Sequence, residues 1–188
     1  MKKRIFLIHG WEGSPQGGWF PWLKKELEAK GMEGIALAMP NSDHPQMEEW
    51  VDHLRKVVGE VDEDCYFVGH SLGCITILRY LERLEPGKKV GGVVLVAGFT
   101  SNLGFEALTN FFPDHGQLAW DKIKSHCDRF VAIHSDDDPL VSAHYGERFF
   151  QRYLGAEFIL EHKKKHFSAG DGIVELPVVM KALIHNSH

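Results

Sequence analysis

The stretch Cys65-Tyr66-Phe67-Val68-Gly69-His70-Ser71-Leu72-Gly73-Cys74 passes from a short apolar run, through a serine bracketed by glycines, into a second apolar run with helical spacing. The spacing predicts a buried strand over 65–68 and a helix over 72–84. Between them lies G-x-S-x-G, which in that setting holds a serine on a sharp strand-to-helix turn with its hydroxyl exposed. Glycine on either side lets neighbouring backbone approach where a Cβ would clash. The start of the helix adds unpaired N–H groups and partial positive charge beside the hydroxyl. A serine that only caps a helix is the competing reading, and the strand before it and the helix after it weigh against it.

The same alternation extends outward along the chain. Apolar runs predict strands over 4–8, 35–39, 90–97, 130–134 and 157–161, and helical periodicity predicts helices over 19–30, 47–58, 145–154 and 173–184. Strands that are apolar on both faces and separated by helices cannot be hairpins. They predict a mainly parallel sheet with helices on both faces, a doubly wound α/β fold. Ligands bind such sheets beyond the carboxyl ends of the strands, so the residues just after each strand are the candidates for chemistry. Residues 99–127 break the rhythm with a long connection that carries Leu103, Phe105, Leu108, Phe111, Phe112, Leu118 and Trp120. Its length suits either extra helices or a lid, and in so short a chain any lid is minimal.

The chain has 188 residues, which predicts a single domain over 1–188. Hydrophobic residues make up 44% and charged residues 25%, a globular rather than a disordered composition. Lys and Arg number 21 against 26 Asp and Glu, for a net charge of -5. With no basic block, the electrostatic footprint of a nucleic-acid binder is missing. No apolar run approaches the ~20 residues of a membrane span. The basic start Met1-Lys2-Lys3-Arg4 is followed by too short an apolar run for a signal segment. Cys65, Cys74 and Cys127 are an odd, scattered set and read as free thiols. The expected location is the cytoplasm.

A serine hydroxyl needs a base, and the base needs an orienting acid. In this architecture the chain order is Ser, then acid, then His. The predicted strand 130–134 runs into Ser135-Asp136-Asp137-Asp138-Pro139-Leu140-Val141. Three adjacent aspartates cannot all be buried and charged. Asp138 is the expected partner of the histidine, because Pro139 locks the turn after it and Val141 can anchor the start of the next helix; Asp137 is the alternative. An acidic helix cap or a magnesium site could use the same trio, but no further ligands accompany it. Beyond the last predicted strand stand His162 and His166, with three lysines between them. His166 is the expected base, because a loop must carry it back over the sheet, and His162 sits too near the strand end. Their i,i+4 spacing could hold a metal, which the lysines disfavour. His9, His70 and His134 fall near strand ends and read as supporting or packing residues. Two N–H donors would form an oxyanion hole: Leu72, and Trp11 from the glycine-rich loop 9–18. That loop matches neither G-x-x-x-x-G-K-[ST] nor G-x-G-x-x-G, so it is not read as a phosphate cradle.

Several segments are familiar together: Gly18-Trp19-Phe20-Pro21-Trp22-Leu23-Lys24-Lys25-Glu26-Leu27-Glu28, Met39-Pro40-Asn41, Gly69-His70-Ser71-Leu72-Gly73, Val94-Leu95-Val96-Ala97, Thr100-Ser101-Asn102-Leu103-Gly104, Trp120-Asp121-Lys122-Ile123-Lys124, Asp137-Asp138-Pro139 and His166-Phe167. Over nearly its whole length the chain resembles the small serine hydrolases of the retinoblastoma-binding protein nine and bacterial YdeN type, within the α/β-hydrolase superfamily. The resemblance implies that fold, Ser71, Asp138 and His166 as a catalytic triad, and hydrolase activity seen on small model esters. Similar proteins often carry Gly immediately before the histidine, where Lys165 stands here. The L-x-C-x-E sequence that mammalian relatives use toward retinoblastoma protein is Leu72-Gly73-Cys74-Ile75-Thr76 here. It lacks the Glu, so that interaction is not carried over.

These readings predict a serine hydrolase, in its simplest form a carboxylesterase acting on small or short-acyl esters through an acyl-enzyme intermediate. No cofactor, metal, nucleic acid or membrane is expected to take part. The expected partner is a small-molecule ester, and no protein partner is identified. The alternative is a binding protein on a hydrolase fold with an idle triad; the order of the three residue types, each after its own strand, tells against it.

Overall fold

The computed structural model describes residues 2–113 and 117–185. Six strands, β1 (Arg4–Ile8), β2 (Glu33–Ala36), β3 (Cys65–His70), β4 (Gly92–Val96), β5 (Phe130–Ser135) and β6 (Glu157–Glu161), form one sheet in the order β2-β1-β3-β4-β5-β6. Every neighbouring pair is parallel. The helices are α1 (Phe20–Ala29), α2 (Met47–Val58), α3 (Leu72–Leu81), α4 (Trp120–Ser125) and α5 (Pro177–His185), with a π-helix over Gly146–Leu154.

Alternation along the strands explains the two layers. Phe6, Ile8, Phe67, Val93, Leu95 and Ala132 face one core, where Trp50 and Leu54 of α2, Ile75 and Leu78 of α3 and Phe150 of the π-helix pack. Ile5, Leu7, Val68, Val94, Val96, Val131 and Ile133 face the other, against Leu23 and Leu27 of α1 and Val179 and Leu183 of α5. A buried side chain of this size contributes roughly 1.5–3 kcal/mol, so both faces must be covered. That is why the strands read as continuous apolar runs.

Some boundaries differ from the sequence reading. The second strand lies at Glu33–Ala36 rather than 35–39, because β1 offers partners only from Arg4 to Leu7. Leu37 N still donates to Leu7 O (3.0 Å) one residue past the strand, whereas Met39 is buried after the chain has left the ladder, so its apolar signal reports burial and not pairing. The last helix starts at Pro177 rather than 173, since the residue before a proline avoids helical backbone. The segment read as the helix 145–154 is the π-helix, ended by Gly155 in the left-handed conformation. The 99–127 connection holds a 3₁₀ helix over Glu106–Phe111 and then α4; its residues 114–116 lie outside the described residues.

β1 lies between β2 and β3, so the chain reverses its direction of winding there. The loops that leave the carboxyl ends of β1 and β3 therefore flank a crevice, where ligands bind in open α/β sheets. Among the described residues, no helix is long and apolar enough to cross a membrane.

Candidate active site

Ser71 is the single residue between β3 and α3 and has φ 53° and ψ -117°. Positive φ is unfavourable for a residue with a Cβ, and here it is held by Ser71 N donating to Val96 O (2.8 Å) and Cys74 N donating to Ser71 O (2.9 Å). Gly73 is required by the close crossing of α3 over β1: a Cβ there would stand 2.1 Å from the Ile8 carbonyl oxygen. Gly69 faces the helix in the same way, with Cys74 N 2.7 Å from where its Cβ would be.

His166 lies across from the serine, on the loop after β6. Its Nε2 is 2.9 Å from Ser71 Oγ, and its Nδ1 is 2.8 Å from Asp138 Oδ2. A carboxylate only accepts, so Nδ1 carries the proton and Nε2 is left free to accept the serine O–H. The Asp138 side chain is 1% exposed, and its other oxygen accepts from Leu140 N (2.8 Å) and Val141 N (3.0 Å). Pro139 and buried Val141 thus shape the turn that seats this carboxylate.

The other members of the acidic run face away from His166. Asp137 Oδ1 accepts from Ser135 Oγ (2.7 Å) and Lys165 N (2.8 Å). Asp136 meets His162 Nδ1 (2.6 Å) and Lys163 N (3.0 Å). Ser135 Oγ accepts from Lys164 N at 2.9 Å. These bonds hold both exposed carboxyls below their ordinary range, Asp136 chiefly through His162 and Asp137 chiefly through Ser135. The trio and Ser135 together clasp the 162–166 loop, a role the sequence reading missed. Among the described residues, no cluster of His, Cys, Asp or Glu could hold a metal ion.

The loop after β1 faces the serine from the other side. His9 Nε2 accepts from Met39 N (3.2 Å), which leaves the proton on Nδ1, 2.8 Å from Gly10 O. Gly13 N donates to the same oxygen at 3.1 Å. A carbonyl and the following N–H share one rigid peptide plane and point in opposite directions, so anchoring Gly10 O aims Trp11 N–H the other way. Burial holds the His9 pKa below its ordinary value, which favours the neutral, accepting ring. Together with Leu72 N–H at the start of α3, Trp11 N–H has no acceptor among the described residues.

Between these loops lies a cavity of about 480 Å³. Phe99, Leu103, Phe105, Leu108, Leu140 and Val141 are among the residues that line it. Four of these come from the long connection, which thereby supplies a wall and not just packing. Its remaining aromatics turn elsewhere: Phe111 packs on Trp50, and Trp120 stacks on Tyr153. His134 is away from this cavity, buried beside Phe150 and Phe158.

The sequence matches the serine hydrolase family over residues 5–185. The chain belongs to that family. YdeN of Bacillus subtilis is 36% identical to it over 183 residues, spanning 97% of this chain and 95% of that protein. The YdeN crystal structure matches with a TM-score of 0.89 over 98% of both chains. The rat serine hydrolase RBBP9 is 32% identical over 127 residues, 66% of this chain and 64% of its own. Est1E from Butyrivibrio proteoclasticus shares the fold, with a TM-score of 0.72 over 97% of this chain and 89% of its own at 14% identity. The fold is that of the α/β hydrolases.

Lys165, where the resemblance leads to the expectation of glycine, has φ 46°, a conformation that glycine adopts without strain. The bond from Lys165 N to Asp137 helps hold a side-chain-bearing residue in it.

Proposed function

We propose that this serine hydrolase is a carboxylesterase for small, uncharged esters, working through an acyl-enzyme. The observation that carries this reading is the hydrogen-bonded series Asp138, His166, Ser71, with spacings of 2.8 and 2.9 Å, beside a partly apolar cavity. Ser71 Oγ attacks the acyl carbonyl while His166 Nε2 takes its proton. The tetrahedral oxyanion is held by Leu72 N–H and Trp11 N–H, each such donor being worth roughly 2.7–4 kcal/mol. His166 then gives the proton to the departing alcohol. A water, deprotonated by His166, attacks the acyl-enzyme and releases the acid, restoring Ser71. Asp138 keeps the Nδ1 proton in place and stabilises the imidazolium. The cycle needs no cofactor.

The cavity has no Lys or Arg among the described residues that line it, which suits a neutral substrate better than an anionic one. The apolar wall suits a short acyl group. A small-molecule ester is the only partner this reading requires, with no nucleic acid or membrane, and the cytoplasm is the proposed location. The three free, buried cysteines accord with a reducing compartment.

The test is a matched series sharing one acyl group: p-nitrophenyl butyrate, a butyryl thioester and a butyryl anilide. The ester should turn over fastest. No hydrolysis of any of the three would reject the enzyme reading in favour of a binding protein.

A further inference from the structure

One imidazole outside the proton-transfer series packs against it and lines the same cavity. His70 ends β3 and directly precedes Ser71. Its ring centre lies 5.1 Å from that of His166, and 6.1 Å from that of Trp19, which meets it edge-on. His70 Nε2 is 2.8 Å from the backbone carbonyl oxygen of His166. A carbonyl only accepts, so Nε2 donates. Burial, and then the nearness of His166, push the His70 pKa down to about 4. At neutral pH the ring is therefore an uncharged donor.

The loop that carries His166 has two edges. Its amide edge is held by the turn after β5, through Asp136, Ser135 and Asp137. Its carbonyl edge is held by His70 at His166 O and by Trp19 Nε1 at Phe167 O (3.2 Å). Of these ties, only the one from His70 starts beside the nucleophile. It closes a ring that runs from Ser71 Oγ to the His166 imidazole, through the His166 backbone carbonyl to the His70 imidazole, and along one peptide back to Ser71. The loop needs such a tie, because Lys163, Lys165 and Phe167 all have positive φ (56°, 46° and 56°), which residues with a Cβ disfavour.

We propose that His70 is a positioning residue that sets the Ser71–His166 hydrogen bond by holding the carbonyl of His166. The inference rests on the reading of Ser71 and His166 as nucleophile and base.

Three variants of the full chain test it, with kcat and KM measured on p-nitrophenyl butyrate and Tm measured alongside. His70→Gln keeps an N–H where Nε2 stood. His70→Phe keeps the ring and removes the donor. His70→Asn keeps a donor but falls short of the carbonyl. Misplacement of a base by about 1 Å costs up to about 100-fold, so Phe and Asn should each lose about 10–100-fold in kcat, with KM within about twofold. Gln should recover most of that loss. If either donor-deficient variant folds and keeps wild-type kcat, the proposal is overturned. It is also overturned if Gln loses as much as Phe, or if KM rises in place of the fall in kcat. Ser71→Ala, run in parallel, separates the two levels: full activity there removes the underlying reading, whereas an inactive Ser71→Ala beside a fully active His70→Phe removes only the role of His70.

Discussion

Each of the three aspartates after β5 has its own partner, so replacing them singly separates the role of each. In Asp138→Asn the side-chain oxygen can go on accepting from Leu140 N and Val141 N, now at 2.8 and 3.0 Å. The new amide group then faces His166 Nδ1. An amide N–H donates, so Nδ1 must give up its proton, which moves to Nε2, the atom 2.9 Å from Ser71 Oγ. The lone pair that should receive the serine proton is then occupied. The expected loss is about 10⁴ in kcat, equivalent to about 5.4 kcal/mol of barrier. Tm should change little, because the volume and both backbone bonds are retained. Asp137→Asn keeps an oxygen for Lys165 N, and Asp136→Asn keeps one for Lys163 N, so both should stay within about threefold of wild type, as surface replacements usually do. The assay is kcat on a chromogenic ester for all three variants. A larger loss for Asp137→Asn than for Asp138→Asn, or an Asp138→Asn enzyme within tenfold of wild type, would refute the reasoning.

Gly73→Ala sets a Cβ against backbone, 2.1 Å from Ile8 O and 2.9 Å from His9 O; it should cost about 3 kcal/mol of stability, and an unchanged denaturation midpoint would contradict this. His134 is buried with no partner for either ring nitrogen among the described residues, and burial pushes its pKa down to about 4. Between the unfolded value near 6.5 and about 4, the unfolded chain takes up a proton that the native chain refuses, so stability present above that window should fall by about 3 kcal/mol on acidification through it. Urea midpoints at pH 7 and pH 4 should therefore differ less in His134→Leu than in wild type; equal differences would contradict it. Along an acetate, propionate, butyrate series of p-nitrophenyl esters, the apolar wall should raise kcat/KM about fourfold per methylene, from about 0.8 kcal/mol each; a flat series would show that the acyl group does not use it.

The unit from β3 through Ser71 to α3 was legible because three constraints coincide there: burial on both faces, helical spacing, and glycines where backbones nearly touch. The sheet was legible for the same reason, since parallel strands buried on both sides leave long apolar runs. Where an apolar residue is buried beyond the ladder, as at Met39, the same signal overran the strand. The bonds from Leu140 N and Val141 N to Asp138, two and three residues back, follow from the Pro139 turn, and the structure brings Ser71, His166 and Asp138 within hydrogen-bonding distance in series. The clasp between 135–138 and 162–166 was not legible, because it depends on the neighbouring positions of β5 and β6 and on positive φ at lysines. His70 was read as supporting, but its partner is a backbone carbonyl 96 residues away, which no local pattern encodes.

That Ser71 is the nucleophile is tested most directly by covalent capture. The protein is treated with a fluorophosphonate, digested, and the peptide carrying the adduct is sequenced by mass spectrometry, with Ser71→Ala in parallel. One adduct per chain on Ser71 is expected, none in Ser71→Ala, and a loss of turnover in that variant on the order of 10⁴–10⁶. An unlabelled wild type, or an adduct and activity that both survive in Ser71→Ala, would contradict it.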